Sequence, residues 1–170
     1  LIIYCQFMLI KLKNKDTLKF DDFKFKCCIG KNGTKQNKLE GDKSTPKGTF
    51  EIGPVYYRSD KIKKPNTLIK TKIIKRNMAW CNDVNSKYYN KEIKIKKSIK
   101  HEVLYRKDYK YDIFLNIKYN YKKIIKGLGS AIFLHLTKNY QPTAGCVAIK
   151  KKDFLILVKL INSKSKIKIN

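Results

Sequence analysis

The sequence predicts a mainly β fold with a single helix near the C-terminus. Short apolar runs bounded by turn-forming clusters recur along most of the chain. Only residues 153–162 repeat apolar side chains at helical spacing, and no internal repeat or low-complexity linker interrupts the pattern. The 170 residues fit one domain, spanning 1–170, with a core of its own. Apolar residues at 42% and aromatics at 12% set the chain apart from disordered sequences.

The apolar opening, Leu1 to Ile10, is too short to span a bilayer. It shows neither the basic flank nor the small-residue cleavage site of an export signal, so it reads as part of a first strand, Ile2–Leu12. Strands at Thr17–Phe20 and Phe23–Ile29 follow, separated by Asn14-Lys15-Asp16 and Asp21-Asp22. Beyond Gly30–Gly33 a polar loop runs to Thr45-Pro46, and two short strands, Gly48–Ile52 and Val55–Arg58, flank Gly53-Pro54. Thr67–Ile74 alternates as a strand, whereas Asn77–Lys97, rich in Asn and Asp, reads as a long structured loop. Tyr111–Tyr119 and Ser130–Leu136 have the continuous apolar character of strands buried on both faces. Asp153–Asn162 is the helix, with Asp153 as N-cap and Phe154, Leu157, Val158 and Ile161 on one stripe. Ser165–Ile169 reads as a last strand.

Charge is the unusual bulk property. Forty Lys and Arg against thirteen Asp and Glu give a net +27. Only Arg58, Arg76 and Arg106 are arginines, and the lysines spread from Lys11 to Lys168 instead of forming one face. A nucleic-acid reader concentrates basic groups and uses Arg for base edges and phosphates, so no nucleic-acid partner is expected. The abundance of Lys, Asn, Ile and Tyr together points to a residue bias, with attraction to anionic polymers or surfaces as the alternative.

Five cysteines, at 5, 27, 28, 81 and 146, form an odd set without a C-x-x-C pair, which argues against a disulfide framework and against a zinc knuckle. Cys5, Cys27 and Cys28 lie in strand-like runs and read as small buried hydrophobes. With two histidines in the chain, a histidine-dependent mechanism has few candidates. His135 closes the apolar run Ala131–Leu134, and eleven residues further on comes Cys146 within Pro142-Thr143-Ala144-Gly145-Cys146-Val147-Ala148. A thiol needs deprotonation to become a nucleophile, and an imidazole at a strand end is suited to accept the proton. A Gly-Cys turn can present the sulfur together with backbone N–H groups for an oxyanion.

Pro142–Val147 after a strand-terminal His resembles the catalytic motif of the L,D-transpeptidase (YkuD-like) family, Ser/Thr-x-Gly-Cys followed by a small apolar residue. Glu40-Gly41-Asp42-Lys43-Ser44-Thr45-Pro46-Lys47-Gly48-Thr49-Phe50 is similar to the family's Gly-Asp-x-x-Thr-Pro-x-Gly-x-Phe segment, and the resemblance is clearest over 30–169. It implies a β-sandwich or flattened barrel with the helix packed on it and the thiol in a groove at one edge. It implies Cys146 as nucleophile on a peptidoglycan stem peptide, with His135 as base, D-alanine as leaving group and a thioester intermediate. Gly145 and Cys146 would supply oxyanion N–H groups, and the Leu136 carbonyl would orient the imidazole. No metal or other cofactor is implied. The expected setting is a monomer in the bacterial cell envelope, without a transmembrane segment. Two positions depart from the common pattern: Ala144 stands where many members carry a second His, and Ala148 where many carry Arg.

Thr143, Trp80, His101, Glu102, Tyr119 and Asn120 are candidate substrate contacts, each with a plain structural alternative: turn capping for Thr143, packing for Trp80, solvation for the others. Gly41, Pro46 and Gly48 are expected to shape a turn beneath the site, with Asp42 capping it. Water in place of an acceptor amine would make a carboxypeptidase. The competing classes are a basic module binding anionic polymer or nucleic acid, and a zinc site using Cys81, His135 and Cys146.

Overall fold

A computed structural model describes residues 8–170, so the first part of the strand expected at Ile2–Leu12, together with Cys5, lies outside the described residues. Fourteen strands and one helix follow. They are β1 Leu9–Lys13, β2 Thr17–Phe20, β3 Phe23–Cys28, β4 Thr34–Lys35, β5 Thr45–Pro46, β6 Gly48–Tyr57, β7 Thr71–Ile73, β8 Met78–Cys81, β9 Glu92–Lys94, β10 His101–Val103, β11 Ile113–Ile117, β12 Phe133–Leu136, β13 Val147–Ile149, α1 Lys151–Leu160 and β14 Lys166–Ile169.

The main sheet runs β11-β12-β13-β3-β2-β1-β14-β6-β7, and a further pairing of β6 with β11 rolls its first eight strands into a closed barrel. Closure removes the free edges that an open sheet would present. Inside, Ile10, Leu18, Phe25, Val55, Ile113, Leu134, Val147, Ile149 and Ile167 form the principal apolar cluster. Phe154, Leu157, Val158 and Ile161, the stripe read from the sequence, join the same cluster. The mainly β, flattened-barrel class with a single helix is thus the observed one.

Several boundaries differ from expectation. The two strands placed around Gly53-Pro54 are one ten-residue strand, β6. The partner register jumps there, from Leu115 opposite Val55 to Ile117 opposite Ile52, leaving Gly53 and Pro54 across from Asn116 alone. Proline donates no hydrogen bond, and a bulge is where a strand tolerates it. The expected strand Thr67–Ile74 shrinks to β7, which adds in parallel to β6. The expected loop Asn77–Lys97 contains β8 and β9, which join β10 in a separate three-stranded sheet of order β10-β8-β9. Asp153 is not the N-cap: Lys150 occupies that position without a side-chain cap. Asp153 instead sits in the first turn, where a carboxylate favours the exposed N–H groups.

The small sheet covers one outer wall of the barrel. Met78, Trp80 and Leu104 pack with Tyr56, Tyr111, Phe114, Ala131, Phe133 and Cys146 in a second apolar cluster. Strands β11 and β12 are therefore buried on both faces, which is why their sequences read as unbroken apolar runs.

Candidate active site

Strand alternation decides where the two chemically distinctive side chains go. Parallel β12 and β13 pair Leu134 with Val147, His135 with Ala148 and Leu136 with Ile149. Leu134, Leu136, Val147 and Ile149 belong to the barrel interior. His135 falls on the opposite face with Phe133, and Cys146, just before β13, packs in the same outer cluster as Phe133. Both His135 and Cys146 line one cavity of about 500 Å³ at the barrel's flank.

The loop carrying Cys146 is gripped from two sides. Thr143 N–H donates to the Ile29 carbonyl at 2.9 Å, and Lys31 N–H donates to the Thr143 carbonyl at 2.9 Å. The segment 38–45 then packs on the glycine beside the sulfur. A Cβ on Gly145, at φ +142°, would lie 2.8 Å from the Ser44 carbonyl oxygen. Gly145→Ala is expected to shift that contact and, through a disfavoured φ, to cost about 1–3 kcal/mol. A fall in melting temperature with loss of Cys146 labelling checks it. The two sequence motifs, ninety residues apart in the chain's order, thus meet in space at Gly145.

Cys146 Sγ donates to the Ala131 carbonyl at 3.3 Å and accepts from Phe133 N–H at 3.3 Å. Burial, reinforced by the Glu102 carboxylate, pushes its pKa up to about 12; Phe133 N–H, the Lys38 ammonium and the Tyr111 hydroxyl act the other way. His135 is 6% exposed. Burial lowers its pKa to about 4, against the opposing pull of its bond to Leu136. Its Nδ1 lies 2.9 Å from the Leu136 carbonyl. A carbonyl only accepts, so Nδ1 carries the hydrogen and Nε2 keeps a lone pair. At neutral pH the site therefore rests as a neutral thiol beside a neutral imidazole. No hydrogen bond joins the two among the described residues; Tyr111 links them instead, its ring 5.2 Å from that of His135.

The depressed His135 pKa has a stability consequence. The unfolded chain takes up the proton near pH 6.5, while the folded chain resists until about pH 4. The neutral imidazole's contribution is fully present above pH 6.5 and is lost as pH falls toward 4. Its size is on the order of 3 kcal/mol. Melting temperature should fall across that window, and less so in His135→Gln.

Of the other candidates, Thr143 and Glu102 line the cavity. The Thr143 hydroxyl caps the turn, donating to the Cys146 carbonyl at 2.6 Å and accepting from Gly145 N–H at 3.1 Å. The Gly145 N–H assigned to an oxyanion is therefore already engaged. Glu102 accepts from the Tyr111 hydroxyl at 2.5 Å, and burial raises its pKa despite that bond. The remaining four are placed off the cavity wall. Trp80 is buried behind it, donating to Asn90 at 2.9 Å and meeting Phe133 edge-on, so it packs. His101 Nδ1 turns to the Ile99 carbonyl at 2.6 Å. Tyr119 donates to the Leu128 carbonyl at 2.5 Å, and Asn120 ties Ile125 to Gly129. Asp42 caps its turn as expected, accepting from Leu39 N–H at 2.9 Å and Ser44 N–H at 3.0 Å.

Sequence reasoning missed Lys38, Arg106, Lys110 and Tyr111 on the cavity wall. The lysines were invisible against so basic a background, and Tyr111 was absorbed into a strand. Cys27, Cys28 and Cys81 are buried free thiols, as hydrophobic packing predicts for the first two. Among the described residues no three His, Cys, Asp or Glu side chains converge as a metal site, so Cys81, His135 and Cys146 do not form one. No helix among the described residues is long and apolar enough to cross a membrane.

The barrel thus turns a buried cysteine and a buried histidine onto one flank cavity. A family model described as the L,D-transpeptidase catalytic domain (YkuD) matches residues 6–169, and the chain belongs to that family. No curated protein and no solved structure matches the chain. The family's class of enzymatic activity goes with the chain at that level.

Proposed function

We propose that this protein is a cysteine-dependent L,D-transpeptidase acting on peptidoglycan stem peptides in the cell envelope. The observation that carries the reading is the joint opening of Cys146 and His135 onto one cavity, with the imidazole tautomer fixed by Leu136. In this reading the stem peptide enters the cavity and the thiol turns from the Ala131 carbonyl. Nε2 of His135 takes its proton as sulfur attacks the amide carbonyl before the terminal D-alanine. The C–S bond forms, the C–N bond breaks, and the imidazolium returns its proton to the departing amine. An amine of a second stem then attacks the thioester and frees the thiol, leaving a cross-link between two third-position residues.

The test is incubation with a disaccharide tetrapeptide, with intact-protein and product mass spectrometry. The expected result is free D-alanine, a transient adduct on Cys146 and a cross-linked dimer. Hydrolysed tripeptide without dimer would make the protein a carboxypeptidase, and absence of D-alanine release would end the reading.

A further inference from the structure

A lysine sealed in the wall of this cavity has no counterpart in the sequence-level account. Lys38 is 4% exposed, and its side chain lines the same cavity as Cys146. Two glycines in left-handed conformations make its slot. A Cβ on Gly129 (φ +102°) would lie 2.8 Å from Lys38 Cε, and one on Gly145 would lie 3.6 Å from Lys38 Nζ. The methylene stem thus crosses the Gly129 backbone and delivers the ammonium to the residue beside the nucleophile. Buried ammonium groups are rare unless paired, and this one is. Nζ donates to Asp42 Oδ1 at 2.7 Å and to the Leu39 carbonyl at 3.3 Å. An ammonium has three N–H donors, so one remains, and no protein acceptor takes it among the described residues.

The location matters because Gly145 N–H, one of the two groups expected to meet a developing oxyanion, already donates to Thr143. That leaves the Cys146 N–H alone to meet the charge on oxygen, and a second donor at that spot would share it. We infer that Lys38 is the electrostatic half of the oxyanion site: its third N–H meets the carbonyl oxygen of the acyl group as Cys146 attacks. Asp42 holds the ammonium in place through the turn it also caps. Fixed positive charge placed where negative charge develops is the arrangement that lowers an acyl-transfer barrier most. The inference rests on Cys146 being the nucleophile and not on the stem peptide being the substrate.

Two thiol probes separate this role from a structural one. p-Nitrophenyl acetate acylates through an oxyanion: sulfur adds to the carbonyl, p-nitrophenolate leaves, and a thioester remains. Iodoacetamide alkylates the same sulfur with loss of iodide and forms no oxyanion. In Lys38→Met, Cys146-dependent release of p-nitrophenolate should fall on the order of 100-fold. Alkylation at the same pH should fall far less, and Lys38→Arg should recover most of the acylation rate. Equal losses in both reactions, or none in either, would overturn the inference even while labelling still depends on Cys146. Release of p-nitrophenolate that survives Cys146→Ala would overturn it together with the nucleophile assignment. Melting curves of the variants guard against global unfolding, since Asp42 keeps its bonds to Leu39 and Ser44 when Lys38 is changed.

Discussion

Cys146→Ala is expected to abolish D-alanine release from a tetrapeptide stem, and His135→Gln to slow it by about 10²–10⁴-fold. In the proposed reaction the first removes the atom that carries the acyl group. The second keeps a side chain of similar reach but removes the lone pair that takes the proton. The difference between them is informative because thiol and imidazole rest neutral. A preformed thiolate–imidazolium pair would make alkylation of Cys146 nearly independent of pH around 7. Here burial pushes the thiol up to about 12 and the imidazole down to about 4. Iodoacetamide labelling should therefore climb steadily with pH through 9 without an early plateau. With His135 as base in the proposed reaction, the turnover rate should instead be broad and lose its acid side as pH falls toward 4. Stopped-flow labelling beside steady-state rates distinguishes the two profiles.

Phe114→Ala is expected to cost about 3–5 kcal/mol, the usual loss for a large aromatic removed from a packed core. Phe114 is fully buried and stacks on Tyr56 at 4.7 Å between ring centroids. It also meets Tyr111 at 5.2 Å and Phe133 at 4.6 Å. For a chain of this length the loss corresponds to a drop of roughly 6–20 °C in melting temperature. The functional effect should exceed what stability alone gives. Tyr111 and Phe133 form the floor under Cys146 and His135, so a void beneath them loosens the cavity as well as the fold. Scanning calorimetry together with D-alanine release below the melting range separates the two effects.

How far the sequence led can be judged from particular elements. β2 and β3 were legible because each is bounded by Asn and Asp turns that the structure keeps. From sequence β6 reads as two strands, because proline breaks most ladders. The exception here lies in the partner strand, whose register jump at Asn116 no local rule could reveal. β8 was missed because its four residues, Met78 to Cys81, are buried on both faces and show no alternation. Its surroundings of Asn and Asp read as loop, and only the non-local partners β9 and β10 make it a strand. The nucleophile and base candidates are legible because the chain has two histidines and because Pro142–Val147 after a strand-terminal His resembles a family motif. Lys38 was not, because one lysine among so many carries no signal until burial and two neighbouring glycines single it out.

The parallel pairing of β1 with β14 has a consequence for biogenesis. On its β14 side, Leu9, Ile10 and Lys11 pair with Lys166, Ile167 and Lys168, almost the full described length away. While the ribosome still holds β14, the seam between β1 and β6 stays unzipped, and neither half can complete its hydrogen-bond ladder. Nicking or trimming the β14 segment should therefore cost the whole barrel and not one strand.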